Sequence, residues 1–420
     1  MRTRPLAATT AMVVLATASF AQSTVVLTPL NSIQSAVNAA SDGDTIVLSA
    51  LDTGTAVFGD YTQTVSIVGK RLTIEADPNY AGQISVSANG LDGRVFFISG
   101  SRELNGNRTT IRGLRVVDGI ATFGGGLFQE SSDILVTDCV FERNVSTDDG
   151  GAVFVDNTCN ATFTDCRFSG NESLGSGTFA AGAAIRVDDD AVVAVDGCVF
   201  ESNLLTAPEG GGGAIYTERT LLTVTNSQFR DHHAQFGAAI YSVQNSDLVL
   251  RDNHFENNHA TSNGGAVRNI DNGATTTVER CVFRGNSADG LAGALEHGFN
   301  AAPLSVTDSL FENNAAGSNG GAIYSRGPST IVNSFFYANR ADRGGGFYQA
   351  DAAIDVVNSV FVGNGASVFG GAMYDGSQPM RVYNSTFVAN SGPQPVAAGG
   401  GDAGDVIYNA ICSANTPAGD

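Results

Sequence analysis

Apolar and polar positions follow one scheme that returns along the whole chain, and the segment 304–323 shows it. Leu304 and Val306 share one parity, Ser309 and Phe311 share the other, and Asp308 stands between the two pairs. Residues of one parity lie on one face of a strand, so a change of parity marks a bend between two strands. Asn314 follows three residues after Phe311, and a small-residue box, Gly320-Gly321-Ala322-Ile323, then opens a third apolar run.

Phe boxes begin at Phe141, Phe168, Phe200, Phe229, Phe255, Phe283, Phe311, Phe336, Phe361 and Phe387, and Gly boxes alternate with them from Gly124 to Gly370. Spacing from box to box runs from 24 to 32 residues, the signature of stacked repeats. Three residues before each Phe, nine of the ten positions hold Asp, Asn or Gly, which best tolerate left-handed backbone angles at a bend. Three short strands per turn with Asx and Gly corners predict an all-β, parallel β-helix; a β-sandwich would need hairpin turns instead. The Phe column forms an internal aromatic stack, each ring stabilising by roughly 1.5–3 kcal/mol. Asn144, Asn171, Asn203, Asn258, Asn286, Asn314, Asn339, Asn364 and Asn390 stand three residues after a Phe, with His232 as the exception. They are read as a structural ladder of side-chain amides rather than as catalytic groups.

Around this repeat the chain divides into four parts. Residues 1–21 read as a secretory signal: Arg2 and Arg4 precede the apolar core Leu6 to Ala18, and Ser19-Phe20-Ala21 places cleavage before Gln22. Residues 22–107 form an N-terminal cap and the first coils. There Ile33, Ala36, Val37 and Ala40 make one face of a short helix, with Asn31 or Ser32 as N-cap. Residues 108–398 are the repeat β-helix, and 399–420 are a Gly/Ala-rich tail or incomplete last coil in which Val406-Ile407-Tyr408 begins one more strand. An uncovered last coil would leave an edge open to self-association.

The paired Gly-Gly-Ala-Ile and Phe-x-x-Asn boxes, from Gly124 to Asn390, resemble the polymorphic outer-membrane protein repeat of chlamydial surface proteins. Ile33-Gln34-x-Ala36 leading to Gly43-Asp44-Thr45-Ile46 is similar to the opening of pectate-lyase-like β-helix proteins. The resemblance implies a right-handed, single-stranded parallel β-helix, export, and, from some members, adhesion. Chlamydial members end in an outer-membrane β-barrel, and nothing after Ser391 matches one.

Composition narrows the chemistry. The formal net charge is −20 and the chain holds a single lysine, Lys70. Such a surface repels nucleic acid and anionic membranes. Clustered acids on one outer face, as a polysaccharide hydrolase needs, are not evident. Asp148-Asp149 and Asp188-Asp189-Asp190 are the acid runs, read as solvated turns, with a weak calcium site at Asp188, Asp189 and Asp190 as the sharper alternative. No other cofactor is expected. The histidines show no metal spacing, and Cys139, Cys166, Cys198 and Cys281 fall in a buried small-residue column as free thiols, with Cys159 and Cys412 unassigned.

One column remains as a candidate binding surface. Phe128, Phe154, Tyr216, Tyr241, Tyr324, Tyr348 and Tyr374 follow the apolar residue of the Gly box, and strand parity turns them outward. They read either as a stripe for a glycan or protein partner or as cross-strand stacking within the sheet. The corners from Glu172 to Ala181 and from Leu204 to Gly211 are the long ones, where binding loops often lie. Three functions stay open: an exported protein for surface display or adhesion, a polysaccharide lyase or hydrolase on the same fold, and a passive spacer.

Overall fold

A computed structural model describes residues 22–52, 57–156, 158–175, 179–188, 190–270, 273–298, 302–376, 378–398 and 406–416. The predicted signal segment, Asp189 and residues 399–405 lie outside them. Strands stack coil upon coil into three long parallel sheets of 15, 14 and 13 strands. Sheet one takes the paired apolar positions, as in Asp133–Thr137 and Leu304–Thr307. Sheet two centres on the box Phe, as in Val140–Glu142 and Leu310–Glu312, and sheet three begins at the apolar residue of the Gly box, as in Leu127–Glu130 and Ile323–Ser325.

The three-strand coil expected from the sequence needs a correction. Between the Asn and the Gly box the chain pairs again, in a four-stranded and then an eight-stranded sheet. This fourth wall begins at Ile120–Phe123 and runs to Gly365–Phe369. Its strands are short, and several turn only a small residue inward, such as Ala260 or Ala288. A pattern of apolar alternation therefore barely registers.

Local backbone chemistry sets the corners. The residue before each small-column position, from Asp138 to Asn384, has a positive φ, and the single Arg there, Arg280, reaches φ 51° with its guanidinium held by Asp252 and Glu279. At the Gly box Gly320 has φ 72°, and a Cβ there would sit 2.4 Å from the Ile323 carbonyl oxygen. Glycine is required at this turn by both conformation and space.

Two ladders fill the interior. The ten box phenylalanines stack face to face at centroid distances of 4.5–5.2 Å. Beside them the asparagines are fully buried or nearly so and hydrogen-bonded in series. Asn286 Nδ2 donates to the Phe255 carbonyl of the preceding coil (3.0 Å) and to Asn314 Oδ1 of the next (3.0 Å), while the Asn286 backbone N–H also donates to Asn314 Oδ1 (3.0 Å). The series continues one coil past Asn390, to Asn415.

The ends are built differently. Helix Ile33–Ala39 has Ser32 as its N-cap and lays Ile33 and Val37 into the core. Lys70 Nζ donates to the Val37, Asn38 and Ala40 carbonyls at 2.8–2.9 Å, capping the helix's free acceptors. At the other end Val406–Tyr408 and Ile411–Ser413 add final strands to sheets one and two, with Tyr408 and Ile411 exposed. None of the six cysteines is in a disulfide, and five are buried. Burial pushes the Cys281 thiol up to about 11, so its reactive thiolate is suppressed.

His232 interrupts the amide ladder. Its backbone N–H still reaches Asn258 Oδ1 (3.2 Å), but its fully buried ring nitrogens have no well-aligned hydrogen-bond partner among the described residues. Burial pushes the imidazole down to about 4, against the pull of the nearby Phe200 and Asn203 backbone. A histidine whose folded pKa lies below its unfolded value stabilises fully above about 6.5 and loses that stability as pH falls towards 4. His232→Asn should therefore raise the melting temperature at pH 7 by restoring ladder bonds worth about 1 kcal/mol each. It should also flatten the fall in stability between pH 6.5 and 4, measured by thermal melts across that range.

Candidate functional site

Sheet three turns one column of side chains away from the core: Phe97, Phe128, Phe154, Arg186, Tyr216, Tyr241, Arg268, Glu296, Tyr324, Tyr348 and Tyr374, each registered against the next. Sequence parity takes this column as exposed, and here the structure differs. Phe154, Tyr216, Tyr241 and Tyr324 are buried, and Phe128, Tyr348 and Tyr374 are half-buried. The cause is the fourth wall, which meets sheet three at the Gly-box turn and leans its own side chains over the column. Phe123 packs on Phe154 (4.9 Å), Phe179 on Tyr216 (6.0 Å) and Phe236 on Tyr241 (5.7 Å). Gly211 belongs to this wall, and a Cβ on it would sit 1.9 Å from the Tyr241 ring.

The column divides into segments of different chemistry. In the middle, the Arg268 guanidinium lies over the Phe236 ring (4.3 Å), pairs with Glu296 (2.5 Å), and donates to the Tyr241 hydroxyl (3.0 Å). Burial pushes the Glu296 carboxyl up despite the attraction of Arg268. Arg326 Nε donates to the Tyr324 hydroxyl (3.1 Å). Towards the C-terminus, Tyr324, Tyr348 and Tyr374 stack at 5.1 and 4.9 Å, with Phe369 beside Tyr374 at 6.4 Å and 40% exposed. The hydroxyls of Tyr348 and Tyr374 have no partner among the described residues.

A charged cluster occupies the coil of the long corners. Arg186 is 8% exposed, stacked 4.0 Å from the Tyr216 ring, and surrounded by Asp188 (2.7 Å), Glu218 (3.0 Å) and Asp149 (4.0 Å). Burial pushes the Asp149 carboxyl up to about 6, and the Arg186 charge offsets only part of that cost. Of the predicted calcium residues, Asp188 is turned to Arg186, Asp190 is an exposed turn residue with φ 59°, and Asp189 lies outside the described residues. Among the described residues no group of three or more His, Cys, Asp or Glu side chains is placed to hold a metal. Sequence reading missed the Arg186 cluster because its members come from three coils. The usable signal was Arg186 itself, a cation in an otherwise aromatic column, with Asp149 preceding the Gly box of the coil before.

The burial pattern separates scaffold from surface. Tyr241→Ala removes a packed ring and a hydrogen bond to a buried guanidinium, and should cost about 3–5 kcal/mol of stability. Tyr374→Ala should cost less than half as much, measured by urea unfolding of both variants.

A family model described as a right handed beta helix region matches residues 151–336. No curated protein matches the chain. Among solved structures the chain is similar to PfbA, a surface adhesin of Streptococcus pneumoniae, at 14% identity and a TM-score of 0.47, covering 87% of this chain and 86% of that one. It is also similar to the catalytic unit of a thermostable GH87 alpha-1,3-glucanase from Streptomyces thermodiastaticus strain HF3-3, at 14% identity and a TM-score of 0.32, covering 92% of this chain and 66% of that one. With the family match and the parallel register of its sheets, the chain is a right-handed parallel β-helix.

Proposed function

We propose that the protein is an exported β-helix that works outside the cell or at its surface, where it holds a glycan or a surface protein for display or adhesion. On this reading its boxes are repeats of the polymorphic outer-membrane protein type. One observation carries the binding role: Tyr348 and Tyr374 are stacked and half-open, with hydroxyls unengaged among the described residues, whereas Tyr241 and Tyr324 have theirs committed to arginines. An amphipathic ring with a free polar tip suits both sugar faces and protein side chains. Phe369 extends the open patch. The buried members of the stripe hold the platform rigid.

A second reading is a polysaccharide hydrolase, favoured by Asp149. A carboxyl held protonated up to about pH 6, with two other carboxylates around the same arginine, has the makings of a general acid.

One experiment weighs both. A panel of neutral and acidic glycans and intact cell surfaces is probed for binding and for release of reducing ends. We expect binding without new reducing ends, weakened about tenfold or more in a Tyr348→Ala, Tyr374→Ala double variant whose far-UV spectrum is unchanged. Reducing ends that disappear with Asp149→Asn, and that fall as pH rises past 6, would move the assignment to a hydrolase. No binding on any surface would leave a spacer.

A further inference from the structure

At its N-terminal end the aromatic column loses its cover. The fourth wall starts at Ile120–Phe123, so among the described residues Ser66 and Phe97 of sheet three have no wall strand of their own coils above them. The result is an open groove of about 710 Å³ between the first wall strand and the turn at Asp92-Gly93-Arg94. That volume falls within the range of small-ligand sites.

Gln34 lines the groove with its amide bonded to Ser66 and Asn38, but the groove's cation and hydroxyls are uncommitted among the described residues. Arg94 lies over Phe128 (4.5 Å) and Phe97 (5.7 Å), and among the described residues it has neither a hydrogen bond nor a carboxylate in ion-pair range. Most arginines of this chain are paired, as Arg71 is with Asp42 and Arg115 with Glu142. Asp92 lines the same groove but makes no ion pair with the Arg94 guanidinium among the described residues. Burial with no acid to offset it holds the Arg94 guanidinium below the usual arginine range. A half-buried cation that keeps its charge without a counter-ion has a strong preference for an anion that brings one. Around it the hydroxyls of Thr64, Ser66 and Thr122 line the groove with no protein partner among the described residues, and Phe97 contributes an aromatic side to it.

We infer that this groove binds a short glycan through a single carboxylated sugar. Arg94 meets the carboxylate, the Phe97 ring packs on the sugar's C–H face, and the three hydroxyls meet sugar hydroxyls. One cation calls for one carboxylate, and a chain of net charge −20 resists a polyanion. A glycan is favoured over an acidic peptide because the free groups are hydroxyls. The backbone edge of the first wall strand is already engaged at Ile120, whose N–H donates to the Gly93 carbonyl (3.0 Å). The site is separate from the tyrosines at the other end of the column.

The test is titration calorimetry of the full chain with three probes: a trisaccharide ending in glucuronate, the same trisaccharide ending in glucose, and a glutamate-containing extended peptide. The glucuronate probe should bind at least tenfold more tightly than either of the others, and more weakly as salt rises. Arg94→Gln should erase that preference. Thr64→Val with Thr122→Val changes only groove-lining hydroxyls outside the core; it should weaken both sugars several-fold while leaving the preference for glucuronate, and Tyr348→Ala with Tyr374→Ala should change neither. Equal binding of the two sugars, tighter binding of the peptide, no binding of the glucuronate probe, or an Arg94→Gln variant with unchanged preference would each overturn the inference. So would full affinity for both sugars in the double valine variant.

Discussion

In-register parallel stacking is the constraint on which everything else in this molecule depends. Each side chain meets the same column position of the next coil, roughly 4.8 Å away. A column can persist only if its residues tolerate their own kind at that distance. Phenylalanine does so by stacking. Asparagine does so because one amide both donates and accepts, so Asn286 is satisfied by Phe255 below it and Asn314 above it. Charges do not, and on the outer face of sheet two the chain pairs opposite signs across coils, Arg230 with Glu256 and Arg284 with Glu312. His232 measures the rule by breaking it: a ring in the amide column leaves buried nitrogens that no neighbour among the described residues satisfies.

The same constraint decides where function can reside. Within the outward column of sheet three, runs of aromatic residues stack, and where the run is broken the substitutes arrive as matched sets. Arg268 with Glu296 is one such set, and Arg186 with Asp149, Asp188 and Glu218 is another. These sets fill the middle of the column and close it. The ends are open for different reasons. At Tyr348 and Tyr374 the rings are only half covered, and at Phe97 the covering wall has not yet begun. The stripe is thus open at its termini and interior at its centre.

Much of this was legible in the sequence, and the boundary of legibility has a physical cause. Inward columns announce themselves because each position repeats: Val306, Asp308, Phe311 and Asn314 were placed correctly on strand, bend and ladder by parity and by the recurrence of Asx at fixed places around the Phe. The fourth wall was not, since short strands that bury an alanine leave almost no alternation to read. With the wall unseen, the outward tyrosines looked exposed. Their burial depends on a close backbone approach at residues such as Gly211, whose missing Cβ admits the Tyr241 ring. The groove at Arg94 follows from where the wall starts, which no local motif encodes. The charged cluster at Arg186 was hidden because it draws on coils far apart in sequence.

The tyrosine stripe is interior in its middle and surface at its C-terminal end. Tyrosine nitration of the native protein, mapped by mass spectrometry, tests it directly. Tyr348 and Tyr374 should be modified in the folded state, while Tyr216, Tyr241 and Tyr324 stay protected until the chain is unfolded. Equal modification of all five in the folded protein would contradict the account.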